Sequence, residues 1–233
     1  LPISGGTTGA ITGHAVGMAC SCLIFQWQIK VACDRQGVDR SFSGINRHLA
    51  MLWRLALPNV LLSSINAPID WACLAILAHH DSGAGEVAIF CACNQWCLLL
   101  RFMPMTIAAA LLPAVAHAAV EGRLATKKLL SFALLLNGTF AGVLAFVLAL
   151  ASPWVMECYG PEFAESTYVL VLLLVAGVAI AVQLAAERLL AGLDCVWTAF
   201  WFNAVRGGAY VGMAIGLMAY GAIGLAAARC ITC

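Results

Sequence analysis

The chain has 233 residues, 63% of them hydrophobic and 10% charged, with a formal net charge of +1. A soluble domain carries about 25% charged residues, and a chain of this length cannot bury so much apolar side chain, so an ordinary soluble domain is excluded. Disorder is excluded by the same composition, and twelve Lys+Arg against eleven Asp+Glu supply no basic surface for nucleic acid. What remains is an all-α polytopic membrane protein of about six to seven transmembrane helices. Barrel strands are shorter and alternate strictly, which these runs do not.

The first segment covers residues 1–32, with its apolar run from about Gly9 to Ala32. No basic stretch precedes it, so it is not a signal peptide. The chain opens on Leu1 rather than Met, which points to a fragment or the back half of a longer protein. Residues 33–49 read as a polar linker carrying Asp34, Arg35, Asp39, Arg40, Arg47 and His48. From residue 50 onward, spans are expected at about 52–78, 87–116, 129–155, 167–186 and 195–218, with a seventh apolar run at 221–233.

Pro58 and Pro68 interrupt the second segment, and Pro104 and Pro113 interrupt the third. A proline removes an N–H and kinks a helix, a break that membrane bundles tolerate where neighbours satisfy the freed carbonyl. The turns are His79 to Glu86, the basic connector from His117 to Lys128, the acidic loop Glu157 to Glu165, and the joint Glu187 to Asp194.

Lys+Arg in the successive connections number 4, 0, 3, 0, 1 and 0. That alternation is what the positive-inside rule requires of hairpinned helices. It places the N-terminal end outside, the 33–49 linker and Arg123 to Lys128 in the cytoplasm, and the Tyr159–Phe163 loop outside. The topology of the later spans is the same if the first segment does not cross.

Charges within apolar runs are expensive and face a bundle interior or a wet cavity. Arg54 and Arg188 lie at cytoplasmic ends and can snorkel. Arg101, Arg206 and Asp70 lie deep. They form either an ion pair that ties helices together or a polar cavity whose arginines attract an anion such as phosphate, which the guanidinium fork pairs bidentately. Asn94, Gln95, Asn137, Gln183 and Asn203 would line that cavity or bridge helices.

No catalytic constellation is present, and no Walker-type phosphate loop, so the chain carries no nucleotide motor of its own. Transport driven by a gradient or by the fate of the substrate fits better. The His79-His80-Asp81 turn makes a weak metal site at best, because adjacent residues point apart. Ser63-Ser64 has no partner at a readable spacing. The eleven cysteines, Cys93 and Cys97 among them, offer no compact set of thiolates for a metal and read as small buried hydrophobes.

Several motifs in order carry a resemblance. Ala88-Ile89-Phe90-Cys91-Ala92-Cys93-Asn94-Gln95-Trp96 leads through Pro104 to Leu111-Leu112-Pro113. Leu57-Pro58 opens a span containing Asn66, Pro68 and Trp71, while Tyr159-Gly160-Pro161-Glu162-Phe163 stands in a loop and Ala191-Gly192-Leu193-Asp194 precedes Trp197 and Asn203. Together, over residues 49–224, these resemble the bacterial polysaccharide flippases (the O-antigen and capsule branch) of the multidrug/oligosaccharidyl-lipid/polysaccharide exporter superfamily. Asp194 departs from the family's usual glycine, and Val87-Ala88 stand where a glycine precedes the phenylalanine.

The resemblance implies two pseudo-symmetric lobes of helices in the bacterial inner membrane. Residues 1–32 would be the last helix of a missing N-terminal lobe and 50–233 the C-terminal lobe. The implied function is flipping of polyprenyl-pyrophosphate-linked oligosaccharide units for lipopolysaccharide or other surface polysaccharide, without enzymatic chemistry. The resemblance carries over no named substrate residue, although its basic central cavity fits Arg101 and Arg206; on the chain's own pattern of deep charges and amides, Arg101, Arg206, Asp70, Asn94, Gln95, Asn137 and Asn203 are the candidates to line the substrate cavity. Pro58, Pro68, Pro104, Pro113, Gly160 and Gly192 would be structural or gating positions. Partners would be the lipid-linked sugar, the bilayer, the missing lobe, and a glycan polymerase or glycosyltransferase. No cofactor is expected beyond H+ or Na+ as a coupling ion. The alternatives are a cation-coupled drug or organic-solute exporter of the same superfamily, a peptidoglycan-precursor flippase, and a non-transporting membrane scaffold.

Overall fold

The computed structural model describes residues 6–37, 49, 52–79, 83–193 and 195–233. Most of the 33–49 linker, together with His80, Asp81 and Asp194, lies outside the described residues. The described residues are helical throughout, joined by short turns, with no strand among them. Two units separate at Leu49 and Ala50. The first contains one helix, α1, Gly6–Gln36, which extends past the expected end at residue 32.

The second unit is a helical bundle. A π-helical turn, Leu52–Ala56, feeds α2, Leu57–Ala78. Then follow α3, Gly83–Glu121; α4, Arg123–Glu157; the single turn α5, Pro161–Ala164; and α6, Thr167–Gly192. The last pair is α7, Val196–Gly216, and α8, Gly221–Thr232, joined by a 3₁₀ turn at Met218–Tyr220.

Among the described residues five helices are long and apolar enough to cross a membrane: Ile11–Arg35, Leu52–Ala78, Gly83–Ile107, Leu124–Glu157 and Thr167–Ala191. The pair Val196–Gly216 and Met218–Thr232, bent by 66°, makes a sixth when counted as one broken span. The two terminal runs expected as separate spans form a bent pair of helices joined by a break of only a few residues.

Two connections expected as loops are helical. Lys127 and Lys128 lie within α4, and a single residue, Gly122, separates α3 from α4. Glu187 and Arg188 lie within α6 rather than in a joint. At 39 and 35 residues, α3 and α4 are about 58 and 52 Å long, well beyond a roughly 30 Å hydrocarbon core. The candidate span within α3 ends at Ile107, and the helix continues from there to Glu121.

In the bundle, α6 packs on α3, α4 and α8, while α2 packs on α7. The short α8 touches α6, α7, α3 and α2, and so joins the two groups. Its buried face takes in nearly every residue from Gly221 to Arg229. The α7 helix buries Val196, Ala199, Asn203, Gly207, Tyr210 and Ala214, a stripe at the three- and four-residue spacing of one helix face.

Polarity runs opposite to that of a soluble protein. Trp71, Phe146, Tyr168 and Trp201 are exposed on the outside, while Asn137, Asn203 and Arg229 are buried. Lipid is as apolar as a leucine core, so nothing drives these side chains inward, and helices associate by close packing of small residues. Cys93 and Cys97, one turn apart on α3, share a buried core with Leu173 and Leu174 of α6, and a Cβ at Gly177 of α6 would lie 3.0 Å from Cys97 Sγ. Gly207 serves the α2–α7 contact, because a Cβ there would collide with the end of Ile69.

Candidate functional site

Five helices place polar side chains at one level of the bundle. They enclose a cavity of about 60 Å³, with room for about four water molecules. Asn66 and Asp70 come from α2, Arg101 from α3, Gln183 and Glu187 from α6, Arg206 and Tyr210 from α7, and Arg229 from α8. Ile69, Ile180 and Leu184 complete the wall.

Two networks hold it. In the first, Arg229 Nη2 donates to both oxygens of Asp70 at 3.0 and 3.2 Å, and its Nη1 donates to Asn94 Oδ1 at 3.0 Å. The guanidinium also sits 5.7 Å from the centroid of the Tyr210 ring. Arg229 is buried, whereas the Asp70 side chain is 40% exposed.

In the second network, Glu187 Oε1 accepts from Gln183 Nε2 and from Asn203 Nδ2, each at 2.7 Å. Gln183 Nε2 also donates to Asn203 Oδ1 at 2.9 Å. Arg206 Nη2 donates to Asn66 Oδ1 at 2.9 Å and to Asn203 Oδ1 at 3.3 Å, and its Nη1 to Cys233 Sγ at 3.8 Å. The i, i+4 spacing of Gln183 and Glu187 puts both on one face of α6.

Arg101 differs from its neighbours. Among the described residues its hydrogen-bond contact is Nη2 to Cys97 Sγ at 4.0 Å, and its Nε has no partner. Among the described residues no carboxylate lies within ion-pair distance of Arg101 or Arg206; the Arg206 Nε is likewise without a partner. Three arginines face two carboxylates, so the formal charge of the cavity is +1.

Of the residues singled out in the sequence, Arg101, Arg206 and Asp70 line the cavity, and Asn94 and Asn203 hydrogen-bond to its walls. Gln95 is exposed and is not a lining residue. Asn137 is fully buried on α4, where its Nδ2 donates to Ala133 O at 2.8 Å and its Oδ1 has no partner. Glu187 and Arg229 belong to the site and were not anticipated.

Pro58 is buried at the start of α2, where a missing N–H costs nothing. Pro68 lies inside α2 between Asn66 and Asp70, and Pro104 and Pro113 lie inside α3, each within a continuous helix. Gly160, at φ 123°, stands between α4 and α5, and Gly192 is the last residue of α6. The Tyr159 and Phe163 rings meet across that turn at 5.8 Å. Among the described residues no group of three His, Cys, Asp or Glu could hold a metal ion. All eleven cysteines are free.

Comparison with known proteins gives two relatives. Over 196 residues, 80% of this chain, it is 30% identical to the EPS I polysaccharide export inner membrane protein EpsE of Ralstonia nicotianae. Over 157 residues it is 29% identical to the protein of the same name from Ralstonia solanacearum. The chain spans less than half the length of these curated relatives, 44% and 36% of them. No protein-family model matches the chain, and no solved structure matches it.

Proposed function

We propose that the chain is the C-terminal lobe, with the last helix of the N-terminal lobe, of an inner-membrane flippase in the polysaccharide-exporter branch of its superfamily. The substrate is a polyprenyl-pyrophosphate-linked oligosaccharide, carried from the inner to the outer leaflet for surface polysaccharide. The reading is carried by one observation: a net-positive cavity with an arginine that has no carboxylate partner among the described residues, inside an apolar bundle whose relatives are named for polysaccharide export.

The physical task is to move a charged, hydrated headgroup through hydrocarbon while its lipid tail stays outside. Arg101 is the arginine that would receive the phosphate, because among the described residues no carboxylate lies within ion-pair distance of it. Arg206 and Arg229 stand on the same cavity wall. At about 60 Å³ the cavity does not admit a sugar, so passage requires the helices to part, with a second lobe as counterpart. Should transport be coupled to H+ or Na+, Asp70 and Glu187 are the carboxylates that would take the ion. A polymerase or glycosyltransferase would supply and consume the sugar.

The two cavity carboxylates, Asp70 and Glu187, favour a second reading, a cation-coupled drug exporter. Three arginines outweigh them, and a lipophilic cation would meet a net positive charge. The experiment is Arg101→Ala in the complete protein, with surface polysaccharide and membrane insertion measured together. The expected outcome is loss of surface polysaccharide with insertion unchanged. Normal export would exclude Arg101 from the path.

A further inference from the structure

The α7–α8 pair turns by 66°, and the structure shows what holds the turn. Glu86, in the first turn of α3, places its carboxylate at the start of α8, where Oε2 accepts from the Ala222 N–H at 2.6 Å. Unpaired N–H groups and the positive end of the helix dipole favour an anion at such a position. The preceding residue is Gly221, at φ 58°. A Cβ at Gly221 would lie 2.7 Å from Glu86 Oε2, so glycine is required both by the backbone and by the carboxylate.

The same two helices meet again at the cavity, where Arg229 of α8 bonds to Asn94 of α3. From Glu86 to Asn94 is eight residues, about 12 Å of helix; from Ala222 to Arg229 is seven, about 10.5 Å. The helices thus run parallel in nearly matched register, pinned at one point near their starts and at another inside the cavity. A slide of α8 along α3 would break both contacts together.

The geometry points to Glu86 as a positioning residue: by anchoring the start of α8 it sets the depth at which Arg229 meets Asp70 and Asn94. Glu86 lines no part of the cavity and touches no solute there. The inference holds whichever solute the cavity takes.

A double-mutant cycle tests it, with thermal unfolding of the purified full chain in detergent as the readout. Glu86→Ala is expected to lower Tm by about 3–10 °C, the effect of losing a hydrogen bond to a charged group. Asp70→Asn weakens the Arg229 contact directly. If Glu86 sets the position of Arg229, the Tm loss from Asp70→Asn falls by half or more in the Glu86→Ala background. A purely local helix cap would leave the two losses additive, as separated sites without shared partners are, and additivity overturns the inference. If Glu86→Ala does not fold, Glu86→Gln keeps an acceptor but loses the charge, and the same cycle is read with it.

Discussion

The Asp70–Arg229 pair is unevenly buried, and that asymmetry fixes which partner is costlier to lose. The Arg229 side chain is 6% exposed and the Asp70 side chain 40%. In Asp70→Ala a buried guanidinium keeps Asn94 Oδ1 and the Tyr210 face but has no counter-charge. Removing one partner of a buried pair costs about 3–5 kcal/mol, so this variant falls in that range. In Arg229→Met the carboxylate left behind is already partly open and can hydrate, and the flexible apolar side chain fills the space of the stem. The cost there is about 1–2 kcal/mol, mainly the lost hydrogen bonds and the ring contact. The double variant removes both charges and is expected near Arg229→Met alone. Unfolding in detergent micelles, followed by tryptophan fluorescence, gives the order directly: wild type most stable, Arg229→Met next, Asp70→Ala last. The burial argument is refuted if Arg229→Met is the less stable single variant, or if the double variant loses the sum of both.

Other outcomes follow from the same contacts. Glu187→Leu removes the acceptor shared by Gln183 and Asn203 and is expected to cost about 1–3 kcal/mol in unfolding measurements, whereas Glu187→Gln, which keeps an oxygen there, changes little. Gly207→Ala forces Ile69 out of the α2–α7 contact at a cost of about 1–3 kcal/mol, and adding Ile69→Ala is expected to recover most of the lost Tm. Cys158 and Cys195 are exposed at helix ends on opposite sides of the expected topology. In intact cells a membrane-impermeant maleimide is expected to label through Cys158, with the label lost in Cys158→Ser and kept in Cys195→Ser. The reverse pattern inverts the orientation.

The apolar runs were legible because hydrocarbon thickness and helix rise allow few alternatives, whereas the helix ends were not, since polar residues such as Lys127, Lys128 and Glu187 continue a helix as readily as they end one. Leu52–Ala78 emerges as one span despite two prolines, since Pro58 sits at a helix start and Pro68 costs only one hydrogen bond. The deep charges Arg101, Arg206 and Asp70 were equally legible, because each is too far from a run's end to reach the headgroups. Glu187 was hidden by Arg188 beside it: two adjacent charges after an aliphatic run look like a connection. Its signal was the spacing to Gln183. Arg229 was hidden by its place in a short apolar run after the bend, although Asp70 needed a cation and few basic residues remained to supply one. Gln95 and Asn94 are neighbours in sequence, and only rotation about the α3 axis decides which of them faces Arg229. That rotation depends on packing against α6 and α8, which no local pattern records.

Translocation measured directly is the closest test of the functional proposal. The complete protein is reconstituted in liposomes carrying a polyprenyl-pyrophosphate-linked oligosaccharide, and the sugar exposed on each leaflet is followed with a lectin or a membrane-impermeant glycosidase. Wild-type protein is expected to equilibrate the sugar between leaflets, Arg101→Ala to lose that activity at equal reconstitution, and a lipophilic cation to leave the rate unchanged. Equal translocation by wild-type and Arg101→Ala protein, or transport of the cation in place of the lipid-linked sugar, would contradict the assignment of the arginine cavity as the headgroup path.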